Sequence, residues 1–188
     1  MLVTAKHEFD APLARVLQSL VDADYATYLG AHHPFFREVQ VLSIAREQEG
    51  IRRQVRYRAQ PPFSYLGPIS IPKSWFVCTE WSRLDLRTHV LSFENVPELD
   101  SIRPKVVNRG TMSFRSDGPN KCVRTSNFEI DLLVAKSVRQ LVELGIDLVA
   151  KQVVKSLDAE ANVLTSWLAA EQSLSIVSPT SATAGVNA

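Results

Sequence analysis
Residues 135–171, AKSVRQLVELGIDLVAKQVVKSLDAEANVLTSWLAAE, carry the pattern that decides the fold. Val138, Val142, Ile146, Val149, Val153, Leu157, Ala161, Leu164 and Leu168 recur there in steps of three and four, the period that lines side chains along one face of an α-helix. The opposite side carries Gln140, Glu143, Asp147, Lys151, Lys155, Asp158 and Asn162, too many charges to bury in a bilayer. The stretch therefore predicts one long amphipathic helix that needs a large apolar partner surface. Gly145 lies inside it, where glycine is about 1 kcal/mol less favourable than alanine. It marks either a tight helix–sheet contact or the approach of a ligand to the backbone.

The partner surface is legible upstream, where the period changes to two. Residues 2–9 alternate weakly and run into Asp10-Ala11-Pro12, an aspartate able to cap a helix and a proline suited to a first turn. Two short helices follow, one through Leu13, Val16, Leu17 and Leu20, the second capped at Asp22 or Asp24 and stopped at Gly30. Residues 39–45 and 51–58 read as a hairpin, with Val55 and Tyr57 opposite Arg52, Gln54, Arg56 and Arg58. Residues 73–86, with Trp75 and Trp81, pair with 88–95, and residues 105–115 and 122–133 complete the run of strands. On the last strand Ser126, Phe128 and Ile130 face away from Thr125, Asn127, Glu129 and Asp131. Residues 61–72, PPFSYLGPISIP, are too proline-rich for a regular ladder and unusually apolar for a loop. They cover the core, form a lid over a pocket, or touch a membrane transiently.

The 188 residues suit one domain, residues 1–172, and the charge-free Ser/Thr/Ala-rich stretch 173–188 reads as a disordered tail. A net charge of +1 with scattered basic residues argues against a nucleic-acid partner. The start of the chain lacks the basic and apolar runs of a signal peptide, and no transmembrane segment is read, so a cytoplasmic location is expected. Cys78 and Cys122 lack metal or redox spacing and are expected to pack as reduced, small apolar residues. His32 and His33, beside a proline, have no ligand partners nearby and read as surface or helix-end residues, so neither a metal nor a cofactor is expected. Glu94, Glu129 and Asp131 fall on outward strand positions.

The order of strand, two short helices, antiparallel hairpins and one long helix, together with residues 7–12 (HEFDAP) followed by Val16, Leu17, Leu20 and Asp22, resembles the START-like, or SRPBCC, helix-grip superfamily. That superfamily includes pollen-allergen proteins, polyketide cyclases and lipid-transfer domains, and the likeness is to its uncharacterised bacterial branches. The resemblance implies an α+β fold in which a curved antiparallel sheet of about six or seven strands grips the long C-terminal helix laid across it. It also implies a cavity between them. The expected lining comprises Val55, Tyr57, Trp75, Leu91 and Phe93, then Met112, Phe114, Phe128 and Ile130 on the last strands, and Val142, Gly145, Ile146 and Val149 on the helix. Arg124 shares the parity of Phe128 and is expected at the cavity end, where it would anchor a carboxylate or phosphate head group. The chain then reads as a carrier of a small hydrophobic molecule, a lipid, sterol or polyketide-like compound. A cyclase- or hydratase-type enzyme in the same cavity and a protein-interaction or homodimerisation module remain as alternatives.

Overall fold
The computed structural model describes residues 1–60, 65–66, 69–70, 72–101, 103–132 and 139–177, with side chains described at 1–60, 72–74, 76–101, 103–104, 106–131 and 150–172. In chain order the elements are β1 (Leu2–Phe9), α1 (Leu13–Leu20), α2 (Ala23–His32), β2 (Phe36–Arg46), β3 (Gly50–Ala59), β4 (Tyr65–Leu66), β5 (Ile69–Ser70), β6 (Val77–Asp85), β7 (Val90–Pro97), β8 (Val106–Ser116), β9 (Cys122–Leu132) and α3 (Arg139–Val177). Seven strands form one antiparallel sheet in the order β1-β9-β8-β7-β6-β3-β2, and β4 and β5 make a separate two-stranded pair inside the proline-rich stretch. This is the α+β helix-grip architecture. At 39 residues α3 is about 58 Å long, and it packs against β1, β9, α1 and α2. Its stretch 173–177 continues the helix past the point where the sequence turns Ser/Thr/Ala-rich, and residues 178–188 lie outside those described. No described helix is long and apolar enough to cross a membrane.

Period-two alternation gives the sheet an inner face toward the helices and an outer face away from them. One end of the inner face is closed by a solid core, in which Phe9, Leu84, Leu91 and Phe114 meet Val16, Leu17 and Leu20 of α1 and Leu164 and Leu168 of α3. Burying each such side chain contributes roughly 1.5–3 kcal/mol. Several local expectations are corrected here. Asp10 does not cap α1; Pro12 precedes its first residue and its carbonyl accepts from Arg15 and Val16. Asp22 caps α2, accepting from the Asp24 N–H at 2.7 Å. Gly30 does not end α2 but lies within it, where an added Cβ would stand 3.0 Å from the Val39 nitrogen; glycine permits that close approach of α2 to β2. Residues 73–76 are a 3₁₀ turn rather than the start of β6.

Two buried polar groups tie α3 to the rest of the fold. Arg124 on β9 is fully buried, donates to the Glu160 carboxylate of α3, and reaches the Leu157 carbonyl at 3.4 Å. It also donates to His7 Nδ1 at 3.2 Å, which leaves His7 Nε2 to donate to Asp158 at 3.0 Å. His33, expected at the surface or at a helix end, caps the C-terminus of α2 but is 3% exposed there, stacked on Phe36 at 4.0 Å between ring centroids. Its Nδ1 accepts from the Phe35 N–H and its Nε2 donates to the Ser156 carbonyl, so the bonds fix a neutral imidazole. Burial lowers its pKa from the ordinary 6.5. The unfolded chain then binds the proton more readily, and the stability His33 contributes is complete above pH 6.5 and lost as pH falls below it toward the lowered value. Thermal unfolding scanned between about pH 7.5 and about pH 5 is expected to show a fall that shrinks in His33→Gln.

Candidate functional site
Beyond the closed core, the registers of the strands assemble two rows across the inner face. The first joins Arg53, Ser82, Phe93, Gly110 and Phe128, each directly opposite the next. At Gly110 an added Cβ would lie 2.1 Å from the Asn127 carbonyl oxygen and 2.8 Å from the Phe93 ring, so only glycine fits. The space it leaves lets Phe93 and Phe128 come together over the strand, 4.6 Å between centroids and tilted by 51°. An aromatic floor thus forms at the centre of the sheet.

The second row lies one step further from the core. Val55 is opposite Glu80 and Glu80 opposite Asn95; Asn95 donates to Asn108 at 3.4 Å, and Asn108 is opposite Ile130. A carboxylate and two amides therefore run beside the aromatic pair. Glu80 is 8% exposed and accepts from Arg53 at 2.6 Å and from the Tyr57 hydroxyl at 3.3 Å. Arg53 spends its other donors on Ser82 at 3.3 Å and on the Leu20 carbonyl that ends α1. Burial works against the Arg53 charge, and Glu80 more than restores it. Burial, reinforced by Glu80, holds the Tyr57 hydroxyl well above the ordinary 10, so it acts as a neutral donor. Tyr25 is held neutral in the same way, first by burial and then by Glu160, to which it donates at 3.4 Å.

The expected lining residues divide by position. Val55, Tyr57, Phe93, Phe128 and Ile130 lie on or beside these two rows, and Met112 lies one step nearer the core, partly buried. Leu91 and Phe114 sit in the closed core, because their registers carry them to the end filled by α1 and α3. Arg124, expected to anchor a ligand head group, lies in that end too, its guanidinium committed to Glu160. The side chains of Trp75, Val142, Ile146 and Val149, and the surroundings of Gly145, lie outside those described. Arg53, Glu80, Asn95 and Asn108 were not singled out from sequence; Arg53 has the parity of Val55 and Tyr57, which was the available signal. Glu94 is exposed and Glu129 pairs with Arg109 on the outer face at 2.7 Å.

Neither cysteine is in a disulfide, and burial raises Cys78 to about 12 and Cys122 to about 11, values at which a thiol is inert at neutral pH. Among the described residues no three His, Cys, Asp or Glu side chains gather as a metal site.

No family model matches the sequence, and no curated protein matches it. Solved structures do. The protein TTHA0849 from Thermus thermophilus aligns with a TM-score of 0.60 at 18% identity, over 95% of this chain and 100% of that one. Norcoclaurine synthase from Thalictrum flavum, in complex with dopamine and hydroxybenzaldehyde, aligns with 0.57 at 13%, over 87% and 86%. The Zhui aromatase/cyclase from Streptomyces sp. R1128 aligns with 0.52 at 15%, over 97% and 99%. At these identities the likeness is one of fold, and the shared fold is the START-like helix grip.

Proposed function
We propose that the inner face of the sheet, the face on which α3 packs, binds a small hydrophobic molecule, and that this molecule is a flat, hydroxylated aromatic of polyketide-like type rather than a saturated lipid or sterol. The observation that carries the reading is the line of Glu80, Asn95 and Asn108 running beside the Phe93–Phe128 pair. Two tilted rings offer a stacking surface to a planar ligand. The carboxylate has acceptor capacity beyond Arg53 and Tyr57, and the two amides offer a further donor and acceptor. Hydroxyl groups on a ring satisfy such a row, and an alkyl chain leaves it desolvated and unpaired. The fold neighbours lend support, since one was solved with dopamine and hydroxybenzaldehyde and another is an aromatase/cyclase.

Fluorescence titration with flavone, with its trihydroxy derivative apigenin and with palmitate tests the proposal. Apigenin is expected to bind saturably, one per chain, and about tenfold tighter than flavone, because hydrogen bonds to a charged group contribute about 1.5–3 kcal/mol. Palmitate binding as tightly as apigenin would remove the hydroxyl-recognition reading, and absence of saturable binding by all three would remove the binding reading itself.

One observation favours a cyclase- or hydratase-type enzyme as the second reading. Glu80 and the neutral Tyr57 hydroxyl stand together, an acceptor and a donor on one side of the same face.

A further inference from the structure
The outer face of the sheet, away from α3, carries a groove of about 910 Å³, within the roughly 300–1,000 Å³ range of ligand sites. We propose that it is a binding site for a neutral oligosaccharide, with Trp81 as its stacking platform.

The registers explain why the groove exists. Across the outer face Gln54, Trp81, Glu94, Arg109 and Glu129 stand in one row, each opposite the next. Beside it the neighbouring row runs Arg83, Ser92, Thr111, Asn127. The short side chains of Ser92 and Thr111 at the centre of the sheet leave a trough between the long ones on either side. Alternation makes this a wet face, yet Trp81 stands on it 53% exposed. Among the described residues its indole has neither an aromatic nor a cationic partner.

The chemistry of the rim selects the occupant. The rim is electrically balanced: Arg109 pairs with Glu129 at 2.7 Å, Arg52 and Arg83 share Glu47 at 2.7 and 3.5 Å, and Glu94 supplies the remaining negative charge. A phosphate backbone would meet few free cations there and would also meet Glu94 and Glu129, so a polyanion is disfavoured. An apolar protein surface would find only Trp81 and Leu2, with three strands of charged and polar side chains between them, whereas interface cores are depleted of charge. A pyranose ring suits both features. Its apolar C–H face lies on an indole, and its hydroxyl edge meets groups with paired hydrogen-bonding atoms, here the Gln54 amide and the Glu94 carboxylate flanking Trp81. The site is on the opposite face from the aromatic floor and stands independently of what binds there.

Isothermal titration with maltotriose, cellotriose, xylotriose and chitotriose tests it on the full chain, Trp81→Ala and Thr111→Arg, with circular dichroism to verify folding. At least one trisaccharide is expected to bind saturably at concentrations up to about 10 mM and to lose about tenfold in affinity in each variant, with apigenin binding unchanged in both. No binding by any of the four would overturn the proposal, as would binding that neither variant weakens. Loss of a concentration-dependent dimer in Trp81→Ala, without saccharide binding to the parent chain, would identify the face as a protein contact and overturn it equally.

Discussion

Glu160→Ala is expected to destabilise the fold by about 3–5 kcal/mol, read as a lower urea midpoint. Glu160 is the carboxylate partner of Arg124, whose side chain is 0% exposed. Truncating it leaves a guanidinium with no water to reach and no charge to face, retaining only the Leu157 carbonyl and His7. It also removes the acceptor of the Tyr25 hydroxyl. The size of the effect measures the cost of an orphaned charge rather than the net contribution of the pair. Replacing both members, Arg124→Met with Glu160→Leu, is therefore expected to recover most of the loss, because well-packed apolar residues substitute for buried ion pairs at little cost. A loss below about 1 kcal/mol in Glu160→Ala would place the pair in the weak class of solvent-exposed bridges and contradict its burial. Because these bonds join β9 to the middle of α3, the parent chain is expected to unfold without a stable intermediate in which α3 alone is released.

The fold was legible because its two periods are clean. Valines and leucines every three or four residues announce α3, and alternation in β3, β8 and β9 gives the faces on which Val55, Phe114 and Phe128 stand. β6 defeated the same reasoning. Its largest apolar residue, Trp81, is on the outer face, while the inner positions hold Cys78, Glu80 and Ser82 before Leu84 enters the closed core. Hydrophobicity points the strand the wrong way because burial of Glu80 is made tolerable by Arg53 on the adjacent strand, 27 residues away in sequence. A pairing of that separation leaves no local trace. Arg124 misled for a related reason: parity placed it inside, but nothing in its own strand revealed that Glu160, 36 residues later, would occupy its guanidinium. His33 beside Pro34 reads as a surface or helix-end residue, and it is the packing of α2 against β2 and α3 that makes it a buried, neutral imidazole. Local periodicity thus specifies faces, whereas the chemistry of the inner face comes from long-range polar pairs.

Those pairs also allow recognition to be separated from stability. Replacing Arg53 and Glu80 together by Met and Leu removes the buried charges as a unit, and the folded state is expected to keep its stability to within about 1–2 kcal/mol. The aromatic floor of Phe93 and Phe128 remains. Flavone, which uses that floor alone, is expected to bind the double variant as it binds the parent. Apigenin is expected to lose the advantage its hydroxyls draw from Glu80. The decisive measurement is the apigenin affinity of the folded Arg53→Met/Glu80→Leu protein relative to the parent: the inner-face site predicts a fall of about tenfold or more with flavone unmoved, and an unchanged apigenin affinity would contradict it.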